Sequence, residues 1–354
     1  MTQRRPADLV SQGSSMFPSL HERRRFLINS GWAILAAAGA GLVDVSVPNI
    51  ARAATPTYPT HPVRIIATYE PGGTNDIMAR LAAEIWSQAY GVSVTVENRP
   101  GASGTLGTSL VAHAKPDGYT LLAGTFGPII TGQSLFRNLP YDPAKDFTGI
   151  GRLSSVPNVI VVHPDSPVKS LGEFIARAKA SSRPLTFGVV PGGTPQFVIK
   201  RLEIATGISL LDIPYKSGTA ALNDLLGNRL DLYADNVPAL LPAINGKLLR
   251  PLALANEVRS PTLPQLSTTV ELGFPDATIS AWHGILAPAG TPREIVDALN
   301  HSLVAALHQA AIKKRIEDQG AIVVADSPQQ FDAFIRSEIP RWAKVVQESG
   351  IKAS

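Results

Sequence analysis

A strand–turn–helix device that occurs twice constrains this chain more than any other feature. Its first copy is Arg64-Ile65-Ile66-Ala67-Thr68-Tyr69-Glu70-Pro71-Gly72-Gly73-Thr74-Asn75-Asp76. Ile65, Ile66 and Ala67 supply a short apolar strand. Pro71-Gly72-Gly73 ends it, because glycine reaches backbone angles closed to other residues. Thr74, Asn75 and Asp76 are all N-cap types, and Ile77, Ala79, Leu81, Ile85 and Trp86 follow at the spacing of a helix that buries one face. The second copy is Leu185-Thr186-Phe187-Gly188-Val189-Val190-Pro191-Gly192-Gly193-Thr194-Pro195-Gln196, where Thr194 reads as the N-cap and Pro195 as the first helical residue. Each copy presents bare amides at a positive helix end, a ready site for a carboxylate or phosphate. One such turn is commonplace in any α/β protein. Two could face each other across a cleft and hold one anion.

The 354 residues suffice for two domains. The net charge of +4 is misleading, because six of 32 basic and three of 28 acidic residues fall in positions 1–53. That leaves 26 against 25, so the high pI is no argument for nucleic acid, and no basic stripe with interleaved aromatics occurs. Arg23-Arg24-Arg25-Phe26-Leu27, the apolar run Ile28–Val43 and the small-x-small site Ala51-Arg52-Ala53 read as an export leader of twin-arginine type. The run from Trp32 to Val43 is too short and glycine-broken to span a membrane comfortably. Cleavage near Ala53 is expected to release a chain with no stable membrane insertion into the periplasm, and residues 1–20 are an extension ahead of the leader. There is no cysteine, which rules out disulfides, thiol catalysis and a lipidated cysteine.

The mature chain alternates strands and helices, which argues parallel α/β sheets. Strands are expected at Val92–Glu97, Tyr119–Ala123, Val159–Val162, Leu230–Tyr233, Leu248–Ala255 and Trp282–Pro288. Helices are expected at Leu106–Ala114, at Glu173–Ala180 behind a Ser170 cap, at Ala220–Leu226, at Pro292–Gln309 behind Thr291 and at Pro328–Ser349 behind Ser327. Thr125, Asp235 and Asn236 stand at strand ends, where open α/β sheets bind ligands; Asp235 could equally cap a helix before Pro238. Catalytic constellations are poor. Gly101-Ala102-Ser103-Gly104-Thr105 lacks the second glycine of a nucleophile elbow. The seven histidines make no metal spacing, and Lys216 beside Tyr215 reads as a surface lysine.

Several stretches together resemble the Bug-type receptors of tripartite tricarboxylate transporters. They are Pro71-Gly72-Gly73 with Asp76, Val96-Glu97-Asn98-Arg99-Pro100-Gly101, Pro116-Asp117-Gly118-Tyr119-Thr120-Leu121-Leu122, Leu139-Pro140-Tyr141-Asp142-Pro143, Pro214-Tyr215-Lys216, Ala287-Pro288-Ala289-Gly290-Thr291-Pro292 and Arg341-Trp342. The resemblance runs from Tyr58 to Lys352. It implies a two-lobed, flytrap-type periplasmic-binding-protein fold of type II, with parallel and mixed sheets and an interlobe cleft. It divides the mature chain into residues 54–157 and 281–354 as one lobe and 158–280 as the other, closing by hinge motion near Val156–Val162 and Ile279–Leu286. It implies a monomeric, non-enzymatic receptor, without cofactor or metal, that passes a small carboxylate to membrane transporter subunits. A sensing role beside a membrane kinase shares the same features, and a hydrolase or transferase using Ser103 or Lys216 is the alternative of another class. The expected ligand-binding set is Tyr69, Gly72, Gly73, Thr74 and Asp76, then Thr125, then Gly192, Gly193, Thr194, Pro195 and Gln196, with Tyr215 and Asp235. Two departures from the family bear on the ligand: Glu70, where a small residue or proline is usual, and Phe197, where a histidine is common. Either could face the cleft, or Glu70 could face solvent and Phe197 pack under its own helix.

The leader carries the first testable consequence. Replacing Arg23 and Arg24 by lysine should abolish export, seen on cell fractionation as precursor retained in the cytoplasm; undiminished export of mature protein would refute a twin-arginine route.

Overall fold

The computed structural model describes residues 58–349 and 351; the leader, its twin-arginine pattern and the cleavage site lie outside the described residues. β1 (Val63–Ala67), α1 (Thr74–Tyr90), β2 (Val94–Asn98), α2 (Thr105–Ala112) and β3 (Thr120–Thr125) open the fold, with the three strands parallel in the order β2-β1-β3. A π-helical turn at Gly127–Thr131 and the single turn α3 (Gly132–Leu135) lead into β4 (Phe147–Val162). The next stretch holds α4 (Leu171–Ala180), β5 (Leu185–Val189), α5 (Thr194–Thr206), β6 (Leu210–Pro214), α6 (Gly218–Leu226), β7 (Leu232–Asn236), α7 (Val237–Asn245) and β8 (Arg250–Ala255). β9 (Ser280–Pro288), α8 (Arg293–Leu307), α9 (Ala310–Glu317), β10 (Ile322–Val323) and α10 (Pro328–Ser349) complete it.

The strands join in the order β2-β1-β3-β9-β4-β7-β5-β6, with β8 and β10 also on β4. The sheet is mixed: β5 runs parallel to β6 and β7, whereas β9 is antiparallel to β3 and β4. β4 changes partners along its length. Phe147 to Pro157 pairs with β9, and Asn158 to Val162 with β7 and β8. The two halves of the sheet therefore form two lobes, β4 running through both.

Local chemistry accounts for the elements around the site. In α1, Met78, Ala79, Leu81, Ala82, Ile85 and Trp86 are buried, and Gly91 at φ 68° ends the helix with its N–H on the Ser87 carbonyl. Trp86 donates from Nε1 to the Leu299 carbonyl at 3.1 Å, which joins α1 to α8. The Ser170 hydroxyl accepts from Glu173 N–H, and Ser327 makes the equivalent contact with Gln330.

The structure differs from the sequence expectation in three places. β4 extends twelve residues before the Val159 at which a strand was expected; Gly149, Gly151 and Pro157 mask its periodicity. Pro157 stands where β4 passes from β9 to β7, so its missing N–H interrupts neither ladder deeply. The stretch expected to be helical to Gln309 ends at Leu307 and restarts as α9, and Thr291 is not its cap: the Thr291 hydroxyl bonds the Pro288 carbonyl.

Asn158 sits at the change of partners and is fully buried. It donates to the Ile279 carbonyl at 2.6 Å and accepts from Thr194 Oγ1 at 3.2 Å and Asn236 Nδ2 at 2.8 Å. Asn158→Ala orphans these buried groups and should destabilise the protein by about 3 kcal/mol in urea unfolding; a loss within about 0.5 kcal/mol would show that the network is dispensable.

Candidate functional site

The two Pro-Gly-Gly turns have nearly the same backbone. Gly72 and Gly192 take φ +86° and +80°, a region open to glycine and strained for other residues. Gly73 and Gly193 follow at φ −77° and −74° in extended conformation and are themselves the N-caps of α1 and α5. The cap expected at Thr74, Asn75 or Asp76, and at Thr194, is thus one glycine earlier, with no capping side chain. Each turn is braced from within its helix, four residues on. Asp76 accepts the Gly72 N–H at 3.1 Å, and Gln196 accepts the Gly192 N–H at 2.9 Å. Burial pushes the Asp76 carboxyl up, but bonds from Arg80, Gly72 and Asn98 outweigh it and hold the pKa below the usual range.

These braces decide which amides can meet a ligand. Gly72 N–H is taken by Asp76, and Gly193 N–H bonds the Val190 carbonyl at 3.2 Å. The N–H groups of Gly73, Thr74 and Asn75, and that of Thr194, have no acceptor among the described residues. Pro195 has no N–H to offer. One turn therefore presents three donors and the other one.

Both turns open on one cleft of about 180 Å³. Tyr69, Glu70, Gly72, Gly73, Thr74 and Thr125 line it from one lobe, and Gly193, Thr194, Pro195 and Asp235 from the other. No Lys or Arg lines it. Glu70 Oε2 accepts from the Ser217 hydroxyl across the cleft at 2.7 Å. Asp235 accepts from Tyr233 OH at 2.6 Å and from Asn236 N–H at 2.7 Å, and burial pushes its carboxyl up. Tyr69 donates to the Ser103 carbonyl at 3.0 Å. His283, on β9 opposite Thr125, is 3 % exposed and lines the cleft; its Nδ1 has no partner among the described residues. Thr74 Oγ1 is likewise buried and unpartnered. Among the described residues no group of three His, Cys, Asp or Glu could hold a metal ion.

Sequence similarity extends over most of the described chain. Residues 78–351 match the tripartite tricarboxylate transporter family receptor. The chain belongs to this family. The curated protein BugT of Bordetella pertussis (strain Tohama I) is 37% identical over 298 residues, covering 84% of this chain and 91% of BugT. An R. palustris protein solved with adipate superposes with a TM-score of 0.81 at 36% identity, covering 83% of this chain and 99% of that one. The periplasmic binding protein BugD gives 0.79 at 34% identity, covering 84% and 100%.

Four of the residues expected at the ligand do not line this receptor's cleft. Asp76, Gly192 and Gln196 are consumed in bracing the turns, and Tyr215 points its hydroxyl at Asp224 Oδ2, 2.6 Å away. Asp235 is no helix cap; Asn236 occupies that position in α7. Phe197 is buried edge-on against Phe126 and Trp342, with ring centroids at 6.0 and 5.1 Å, and lies off the cleft. Lys216 is exposed and also off it. The set omitted Glu70, Asn75, Ser217, Gly218, Tyr233 and His283. Ser217 and Gly218 follow the end of β6, the strand-end signal that drew attention to Asp235. His283 carries no local signal, because only antiparallel pairing of β3 with β9 brings it beside Thr125.

Burial pushes the His283 imidazole down to about 3. The unfolded chain then binds more protons than the native state from about pH 6.5 down to that value, so folding stability falls with falling pH across this window and is unaffected above it. His283→Gln removes the term, and its melting temperature should decline less steeply than the wild type's from about pH 7 to 4. Identical slopes would show that His283 protonates freely in the native state.

Proposed function

We propose that this protein is a periplasmic solute-binding receptor that captures a small organic acid for a tripartite tricarboxylate-type transporter. One observation carries the reading: Gly73, Thr74, Asn75 and Thr194, whose N–H groups have no acceptor among the described residues, all line one cleft at the positive ends of two helices. Backbone donors so placed hold a carboxylate without a basic side chain. The cleft, of about 180 Å³, suits a small acid. The adipate in the R. palustris relative supports the same ligand class.

The proposal takes residues 54–157 and 281–354 as one lobe and 158–280 as the other. The change of partner along β4 at Pro157 and the start of β9 at Ser280 support these limits. It places the monomeric receptor in the periplasm after removal of the leader near Ala53. No described helix is long and apolar enough to cross a membrane, and BugD is itself a periplasmic binding protein. Ser103 and Lys216, which a hydrolase or transferase would need, lie off the cleft wall.

A thermal-shift screen of small organic acids tests the reading, since a ligand at about 100 times its Kd adds about 2.7 kcal/mol of stability. A Cβ on Gly73 meets only the Glu70 carbonyl, at 3.7 Å, so Gly73→Val should fold and fill the anion site. It should weaken binding at least about tenfold, while Lys216→Ala should leave affinity unchanged. If Lys216→Ala abolishes binding and Gly73→Val does not, the amide site is wrong.

A further inference from the structure

The cleft wall is electrically lopsided. It contains two carboxylates, Glu70 and Asp235, and no Lys or Arg. Neither makes an ion pair among the described residues. Glu70 is half-buried, and its one hydrogen bond is the Ser217 hydroxyl on Oε2; Oε1 has no donor among the described residues. Asp235 has only two neutral donors, the Tyr233 hydroxyl and the Asn236 amide. The two carboxylates flank the same short segment. Ser217 bonds Glu70, and a methyl added to the adjoining Gly218 would collide with Asp235 Oδ2.

Two further observations mark the space beside this pair as built for a polar ligand. Thr74 is 4 % exposed with its hydroxyl unpartnered, and His283 is 3 % exposed with Nδ1 unpartnered; both line the cleft. Buried polar atoms without partners cost about 1–3 kcal/mol each, a cost that a ligand with matching polar atoms offsets. Tyr69 and Tyr233 are also among the residues that line the cleft.

We infer that Glu70 and Asp235 form a second subsite that takes a protonated nitrogen, so the ligand is a small ammonium carboxylate. The inference rests on the small-acid reading above and narrows it. The ligand's carboxylate lies on the amides of Gly73, Thr74, Asn75 and Thr194, and its cationic group lies against the acidic pair. A dicarboxylate would bring its second charge towards two carboxylates with no cation among the lining residues, which specifically disfavours it. Glu70 contributes twice: it accepts from Ser217 of the other lobe, and its second oxygen remains for the cation.

Calorimetry on the mature protein tests this with two pairs matched in chain length, 4-aminobutanoate with succinate and 5-aminopentanoate with glutarate, and with pentanoate as an uncharged-tail control. The wild type should bind an aminocarboxylate at least about tenfold tighter than its dicarboxylate partner. Glu70→Gln, which keeps an acceptor for Ser217, should shrink that ratio at least about threefold, and Asp235→Asn should do the same. Melting curves confirm that both variants fold. A wild type that prefers succinate or glutarate overturns the inference and leaves the carboxylate receptor standing. A preference for aminocarboxylates that persists in both variants overturns the assignment to Glu70 and Asp235. If none of the five acids binds and Gly73→Val changes nothing in the organic-acid screen, the receptor reading fails and takes the inference with it.

Discussion

The sixteen-residue strand Phe147–Val162 belongs to both lobes, and the geometry of the cleft depends on it. Its first part is hydrogen-bonded to β9 and β10 and its last part to β7 and β8. β4 thus carries the chain from one lobe to the other and links the sheet that bears the turn at Gly73 to the one that bears the turn at Gly193. Where the partners change, Asn158 bonds the Ile279 carbonyl, Thr194 and Asn236. Thr194 belongs to the second anion turn, so the crossing and the site share a buried polar network. Such networks are rigid when every member is satisfied.

The C-terminal helix seats against this strand because glycines leave room for it. A Cβ at Gly149 or Gly284 would stand 2.9 or 2.7 Å from the Phe331 ring. Asp332 accepts the Gly149 N–H at 2.7 Å, while Asp326, just before α10, pairs with Arg152 through both its backbone and its guanidinium. Arg152 also stacks over Phe334 at 3.9 Å. The Trp342 ring of the same helix meets Phe126 and Phe197, so α10 braces elements of both lobes from behind the cleft.

The recognition chemistry follows an economical division. The backbone amides of Gly73, Thr74, Asn75 and Thr194 at two helix ends are left without acceptors among the described residues, and the side chains best able to compete for them are turned inwards. Asp76 and Gln196 each hold the positive-φ glycine of their turn and leave the next amides free. Glu70 and Asp235 leave the same cleft wall with acidic side chains and no basic one.

The sequence alone disclosed the repeated Pro-Gly-Gly turns, the α/β alternation, the Ser170 and Ser327 caps and the strand-end position of Asp235. These are local properties: a glycine's backbone freedom, a 3.6-residue period or a capping hydroxyl is written within a few residues. The family match to residues 78–351 agrees with that reading. Tertiary structure decided which residues line the cleft. Asp76 and Gln196 are a partial exception: they look like ligand residues, but each reaches back only four residues, onto Gly72 and Gly192. The direction of Glu70 and Phe197 is set by distant partners: one reaches Ser217, 147 residues away, and the other packs against Trp342. His283 is the extreme case, because its place beside Thr125 is set by strands far apart in the chain. For Glu70, Phe197 and His283 the side-chain direction depends on long-range packing, and no local pattern encodes it.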